Sequence, residues 1–200
     1  MLLATFLLAA TTTPLGTVLT SDHANVGNAA ADVGTTVYSG DKLSTGEKGS
    51  IQIRAGSARL ALLQGSTAEL GDGPSAKLVL GTVQFSTLKA DALTLTVLNA
   101  IVRANTDSTT IGQVIYAGKN EMTVTAKRGS LLVKVGADEQ VVDEGKSYRV
   151  LLDDPQGPTG AGGGPPAKAG RSRFLLVSTI LIGGATAWAI HEAYESPKRP

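Results

Sequence analysis

Apolar and polar residues alternate through the middle of the chain, between Leu15 and Leu152. Seven segments carry apolar residues at every second position: Ile51–Ile53, Leu60–Leu62, Leu78–Leu80, Val83–Phe85, Leu93–Val97, Val124–Ala126 and Leu131–Val135. A period of two marks a β-strand with one buried face. Glycine-rich turn sequences interrupt these segments at short intervals, and no window sustains helical spacing. The pattern therefore predicts an all-β domain.

Two stretches of this domain resemble each other. Leu78–Phe85 and Val124–Val133 each hold a strand, a glycine corner and a second strand. Short strands turned by glycine suit a β-solenoid whose coils stack, and they also suit a β-sandwich. The corner glycines supply a positive φ or room for close packing. We predict a β-solenoid-like stack of short strands over residues 15–152, with a sandwich as the alternative.

The two ends of the chain differ from this domain. Residues 1–14 open with an apolar stretch, Met1–Ala10, that is typical of a signal peptide but lacks the usual positive start. A short uncleaved anchor and a buried first element are the alternatives. Residues 153–173 contain Pro155–Gly170, in which six of sixteen residues are glycine and four are proline. This composition predicts a disordered linker.

An uncharged run of seventeen residues, Phe174–Ile190, follows the linker. A helix of that length covers about 25 Å, the short end of a membrane span. A buried core helix is the alternative, but only the short tail 191–200 would follow to cover it. We predict one transmembrane helix, 174–190, that tethers the β domain. Three basic residues before the run and two after it leave the orientation open; we expect the domain in the periplasm.

Scarce reactive side chains narrow the possible functions. The chain has no cysteine and two histidines, His23 and His191, so it forms no disulfide, thiol nucleophile or cysteine-bound metal site. Residues 1–154 carry 13 basic and 15 acidic side chains, without a basic stripe interleaved with aromatic residues. Such a domain is a poor candidate for nucleic-acid binding. We predict that the protein is not an enzyme and uses no cofactor.

The candidate sites have simpler structural interpretations. Asp41 lies in a turn, where an aspartate commonly bonds to nearby backbone. His23 lies in a polar segment, and we expect it to be exposed. The acidic pairs and glycine-rich segments lack the spacing of calcium or phosphate loops: Asp138-Glu139, Asp153-Asp154, residues 71–75 and residues 160–164. We predict no catalytic, cofactor-binding or metal-binding residues.

Two polar segments are candidates for part of a binding surface, Arg103–Asp107 and Ala126–Gly129. The alternative interpretation is a scatter of polar residues on the solvent-facing side of a sheet. An exposed sheet edge can also take up a strand from a partner. The sequence identifies no individual residue for such an edge.

The order of the motifs resembles that of the FecR domain. The resemblance spans Gly16–Val150 and is most specific at Gly40–Thr45. The matching segments are Gly34–Gly46, Gly49–Ile53, Gly56–Leu62 with Ser66, Leu80–Val83, Val124–Val133 and Glu144-Gly145. The resemblance implies an extracytoplasmic β domain built as a solenoid-like stack of sheets. The best-known members of that family relay a signal from an outer-membrane receptor to a sigma factor.

The order of segments differs from that of a FecR-type regulator. In such a regulator a cytoplasmic anti-sigma segment comes first, then the membrane crossing, then the domain. Here the domain comes first and the predicted crossing last, so sigma-factor control is not carried over. The resemblance implies a stand-alone, membrane-tethered domain that binds an unidentified protein in envelope signalling or assembly. The alternative is a module that binds a glycan or another surface polymer.

Overall fold

The computed structural model describes residues 13–152 and 174–177. Every regular element in this part is a strand, apart from one 3-10 turn at Ala90–Ala92. The strands are β1 Pro14–Val26, β2 Ala29–Ala30, β3 Thr36–Tyr38, β4 Lys42–Ala55, β5 Ala58–Leu62, β6 Thr67–Leu70, β7 Ser75–Thr87, β8 Thr94–Val97, β9 Ala100–Ala104, β10 Thr110–Tyr116, β11 Glu121–Arg128, β12 Leu131–Val135, β13 Asp138–Val142, β14 Ser147–Leu151 and β15 Phe174–Val177. The prediction of an all-β domain is confirmed.

The apolar and polar residues that alternate along the sequence face the core and the solvent in turn. In β9, Val102 is buried while its neighbours Ile101 and Arg103 are exposed. In β11, Met122 and Val124 are buried and Thr123 between them is half-buried. Side chains of this buried set, from strands across the sheet, form one hydrophobic core.

Strand β7 joins the two halves of the fold. Its first half pairs with β6 and β8, and its second half pairs with β5 and β10. Beyond β8 the sheet continues through β9, β12 and β13, which we call the first arm. Beyond β10 it continues through β11, β14 and β15, which we call the second arm. On the other side of β5 and β6 lies β4, which also pairs with β1.

The inner faces of the two arms pack against each other. A Cβ atom at Gly112, in β10, would lie 2.6 Å from the Phe85 ring and 2.9 Å from the Leu131 side chain of β12. Only glycine leaves this space open, so a leucine of the first arm reaches the backbone of β10, the strand from which the second arm continues. Face-to-face packing of this kind is typical of a sandwich.

The strand pairing corrects the solenoid prediction. Among the strands that the structure describes, fourteen of the fifteen pairs are antiparallel, and only β7 with β8 is parallel. Successive coils of a parallel β-helix would instead stack in parallel. Tight hairpins cause the difference, because a two-residue loop returns the chain antiparallel. One such loop is Gly56-Ser57, where Gly56 has a φ of +58°.

Of the predicted membrane helix, 174–190, only the first four residues lie among those that the structure describes, so the helix stays a prediction. Phe174–Val177 forms β15, which pairs antiparallel with β14 from Phe174 opposite Val150 to Val177 opposite Ser147. A short apolar run fits a strand as well as a helix, and the pairing with β14 decides between them here. The rest of the predicted helix, 178–190, lies outside the described residues, as do residues 1–12, the linker and the tail. No helix within the described ranges has the length and apolar character to cross a membrane.

Candidate functional site

The most specific motif, Gly40–Thr45, has a structural role. The Asp41 carboxylate accepts a hydrogen bond of 2.8 Å from the Tyr38 N–H, which confirms the expected bond within the turn. Leu43 is fully buried. The Thr45 hydroxyl accepts the N–H of Ser66, and the Ser66 hydroxyl in turn accepts the N–H of Thr82 at 2.8 Å. The motif therefore connects β4 to β7 through a buried polar chain.

The other candidate side chains lie in separate parts of the described structure. The His23 side chain is 78% exposed and, among the described residues, bonds to neighbouring Asp22 at 2.7 Å. Glu139 lies 3.6 Å from Lys134, across from it on β12. No three metal-binding side chains come together within 13–152 and 174–177. The pair Asp153-Asp154 and the segment 160–164 lie outside the described residues.

The segment Arg103–Asp107 leads to a depression on the outer face of the first arm, which we call the paired-charge depression. It has a volume of about 320 Å³ and is lined by Thr94, Ile101, Arg103, Leu132, Lys134 and Glu139. Each cation there has an acidic neighbour: Arg103 lies 3.8 Å from Asp91, and Lys134 pairs with Glu139. The two candidate segments approach each other at one end, where the backbone N–H and side-chain amide of Asn105 donate hydrogen bonds to Ser130, the residue that follows the second segment, Ala126–Gly129.

In that second segment, burial lowers the pKa of the Lys127 ammonium below its ordinary value. Glu144 accepts a hydrogen bond of 2.8 Å from the Gly129 N–H and so fixes the turn after β11. The burial of Lys127 reflects packing, and the Glu144 bond stabilises a turn. Neither observation brings this segment together with other side chains in a binding site.

A second depression, which the sequence did not identify, lies on the outer face of β4, β5 and β7. We call it the arginine–glutamine face and define it by Gln52, Arg54, Arg59, Gln84 and Ser86. The strand register places Arg54 opposite Arg59 and Arg59 opposite Ser86. The next row places Gln52 opposite Ala61 and Ala61 opposite Gln84. Two rows of hydrogen-bond donors therefore run across neighbouring strands.

Two adjoining hollows give this face its shape. The larger, of about 210 Å³, lies beside Arg54 and the Gly56-Ser57 turn. The smaller, of about 20 Å³, lies over Gln84 and has room for one water-sized group. Arg59 and Ser86 line both hollows. No acidic side chain of the described residues lines either one.

Gln84 is the unusual member of the face. By alternation it points away from the core, yet it is only 4% exposed, because β5 and β10 flank it on both sides. Its Nε2 atom finds no hydrogen-bond acceptor among the described residues. A buried amide without a partner costs about 1–3 kcal/mol. Among the buried side-chain atoms of this face that the structure describes, Gln84 Nε2 is the one without a hydrogen-bond partner.

Part of this face was readable from the sequence. Arg54 and Arg59 flank a recognisable turn at Ala55-Gly56-Ser57, and in a two-residue hairpin loop the flanking residues lie opposite each other. The sequence does not indicate that Gln84 is buried, because its burial depends on strands that are distant in sequence.

No family model matches the chain, and no curated protein matches it. Two crystal structures of a putative anti-sigma factor from Parabacteroides distasonis ATCC 8503 are similar to it, each with 12% sequence identity and a TM-score of 0.47. The similarity covers 55% of this chain and 54% of that protein, so the chain spans about half of its length. At this identity and TM-score, the likeness assigns no activity to the chain.

Proposed function

We propose that this chain is a non-catalytic, extracytoplasmic domain of the FecR-like type, tethered to the membrane, that binds another protein in envelope signalling or assembly. The observation that carries the proposal is the pairing of β14 with β15. β15 is a short extended segment that follows β14 only after residues 152–173. The edge of this sheet therefore takes up an extended segment from elsewhere in the chain, which is the geometry of recognition by strand addition.

The first arm offers a comparable edge. β13 ends the sheet on that side, and among the described strands it pairs only with β12. Its sequence begins with Asp138 and Glu139, and charged side chains on an edge strand limit unspecific aggregation. An edge protected in this way remains open to a partner strand whose side chains complement those charges.

A role without catalysis is supported by the separation of reactive groups within the described residues. His23 is exposed on β1 and bonds only to its neighbour. Serine chemistry requires a base within hydrogen-bond reach of the hydroxyl. The most buried serine, Ser66, instead bonds to backbone groups.

The test uses the full chain, produced in a Gram-negative host with a photoreactive amino acid at Gln140 on β13. The matched control carries it at Thr123, on the outer face of β11. We expect the chain in the membrane fraction, digestion of the domain by protease added to spheroplasts, and one discrete crosslinked protein from Gln140 but not from Thr123. Val141→Pro should abolish the crosslink, because proline blocks further strand pairing.

Two results would contradict this proposal. One is a chain that remains in the cytosol after fractionation. The other is a crosslinking pattern that is the same from both positions and insensitive to Val141→Pro, in a variant whose circular dichroism shows an intact fold.

The second candidate function is binding of a glycan or another surface polymer. The arginine–glutamine face favours it, since its amide and guanidinium groups line a hollow on the face of a sheet. Retention of the purified protein on peptidoglycan or on a polysaccharide resin would support this candidate, and failure on every polymer tested would contradict it.

A further inference from the structure

We propose that the edge of β14 is a second binding site for a partner protein, and that the partner binds through an extended segment in which an acidic residue lies between two apolar ones. The segment takes the place of β15 when the chain is anchored in a membrane. This inference rests on the membrane tether of the proposed function. It adds a site and a partner chemistry that are separate from the β13 edge.

The first step of the argument is the way in which β15 fits this edge. β15 pairs with β14 at four positions, with Phe174 opposite Val150 and Leu176 opposite Tyr148. Val150 is buried, and both Tyr148 and Phe174 pack against the hydrophobic core. Because successive side chains of a strand point to opposite faces, the edge of β14 accepts an apolar side chain at every second position of the added strand.

The second step concerns the position between these two apolar side chains. Leu175 lies there, opposite Arg149, and it is 48% exposed. Arg149 is also exposed and has no ion-pair partner among the described residues. Opposite charges that face each other in an antiparallel pair stabilise it, and a leucine offers the guanidinium group no carboxylate. A segment with an acidic residue at this position therefore matches the edge better than β15 does.

The third step is that β15 and the predicted membrane helix require the same four residues. As a helix, the uncharged run Phe174–Ile190 covers about 25 Å, the short end of a membrane span. Without the four residues of β15, thirteen of the seventeen remain, and they would cover only about 20 Å of a hydrocarbon core about 30 Å thick. A chain that spans the membrane through this run therefore withdraws β15 and leaves the edge of β14 open.

The fourth step is that β14 is held in place without β15. All five of its residues pair with β11 on the other side. The hydroxyl groups of Thr125 and Ser147 bond to each other at 2.8 Å, and the Leu152 N–H donates to the Asn120 carbonyl at 2.7 Å. The edge is therefore preformed for an incoming strand, which lowers the cost of ordering it on binding.

The test measures binding of a fluorescent peptide, SFELVS, to the full chain in phosphatidylcholine nanodiscs by fluorescence anisotropy. The chain has no cysteine of its own, so the double variant Tyr148→Cys/Leu176→Cys, oxidised in detergent before reconstitution, holds β15 on β14 through a single disulfide. The matched variant Ile101→Cys/Lys134→Cys joins opposite residues of β9 and β12. We expect the first disulfide to weaken peptide binding at least about tenfold, with recovery on reduction. The second should change it by less than about threefold.

A second measurement tests the acidic position of the partner segment. The peptide SFELVS should bind about threefold more tightly than SFLLVS, because its carboxylate lies opposite Arg149. Arg149→Gln should remove this preference. Arg103→Gln, at an exposed arginine of the first arm, should leave it unchanged.

Peptide binding that is the same in the oxidised and reduced Tyr148→Cys/Leu176→Cys protein would overturn the inference, as would equal affinity for the two peptides. Failure of that cysteine pair to form a disulfide would contradict the pairing on which the argument depends. A chain in the membrane fraction that gives the Gln140 crosslink and binds neither peptide would overturn this inference and leave the proposed function in place. Thermal melts of each variant separate loss of binding from loss of fold.

Discussion

The two surface depressions of this domain are similar in scale and opposite in chemistry. The paired-charge depression on the first arm measures about 320 Å³, and there each cation lies near a carboxylate of the same chain. The larger hollow of the arginine–glutamine face measures about 210 Å³ and is lined by two arginines and no acid. The larger depression already has its charges compensated. The arginine–glutamine face instead includes a buried amide, Gln84 Nε2, that has no acceptor among the described residues, so the lining and not the volume identifies it as the candidate site.

Loss of core packing should affect both depressions and have the largest effect. Leu131 of β12 is fully buried between the arms, whereas the next residue, Leu132, is half-buried in the paired-charge depression. Leu131→Ala should lower the free energy of unfolding by about 2–5 kcal/mol. Leu132→Ala should lower it by less than about 1 kcal/mol. Urea denaturation followed by circular dichroism measures both, and equal losses would show that the arms do not share one core.

A carboxylate introduced into the arginine–glutamine face should make it resemble the other depression. Gln52→Glu places an acid beside Arg54, and Thr94→Glu is the matched change in the paired-charge depression. If this face carries the second candidate function, Gln52→Glu should weaken its binding to polygalacturonate, an acidic polysaccharide, by about tenfold, or about 1.4 kcal/mol, in isothermal titration calorimetry. Thr94→Glu should leave the titration unchanged. Equal effects of the two variants would remove the distinction between the two depressions.

Replacing the buried amide of Gln84 should raise the stability of the protein and weaken its binding to polygalacturonate. Gln84→Met replaces a buried donor that has no partner among the described residues with an apolar side chain of similar length. We expect unfolding to become harder by about 1 kcal/mol, while polygalacturonate binding weakens. Gln113→Met, in the same row but half-buried, should change stability by less than about 0.5 kcal/mol. A Gln84→Met protein that melts at a lower temperature would show that the amide is satisfied.

The smallest effect concerns the ion pair of the paired-charge depression. Lys134 and Glu139 lie opposite each other, and each side chain is about half exposed. A double-mutant cycle with Lys134→Gln and Glu139→Gln should give a coupling energy below about 1 kcal/mol that falls as salt is added. A larger coupling energy that does not change with salt would mean that the two side chains are held in a fixed geometry although both are about half exposed.

Local sequence patterns predicted where the strands lie better than which strands pair with one another. Alternation at Leu95 and Val124 predicted which side chains are buried, and the turn around Asp41 predicted its hydrogen bond. The order of strands was not predictable, because β7 pairs with β5, β6, β8 and β10 according to contacts between distant segments. Short apolar runs fit a strand or a helix, and Phe174–Val177, at the start of the predicted helix, forms a strand in the structure.

The same limit applies to the candidate site. Arg54 and Arg59 are close in sequence, and their hairpin brings them together in a way that the turn signal predicts. Gln84 has the appearance of an ordinary exposed residue in an alternating strand. It is buried in the structure, where it lies on an inner strand between β5 and β10. Burial of this kind follows from sheet topology, which single-residue patterns do not contain.

Side-chain NMR tests the central claim most directly, that the lining of the arginine–glutamine face makes it the binding site. Resonances of arginine Nε–H and glutamine side-chain amides are followed while a short galacturonate oligomer is added to the full chain in detergent. The account predicts shifts at Arg54, Arg59 and Gln84, with Arg103 unchanged. Shifts at Arg103 without a change at Gln84 would contradict it.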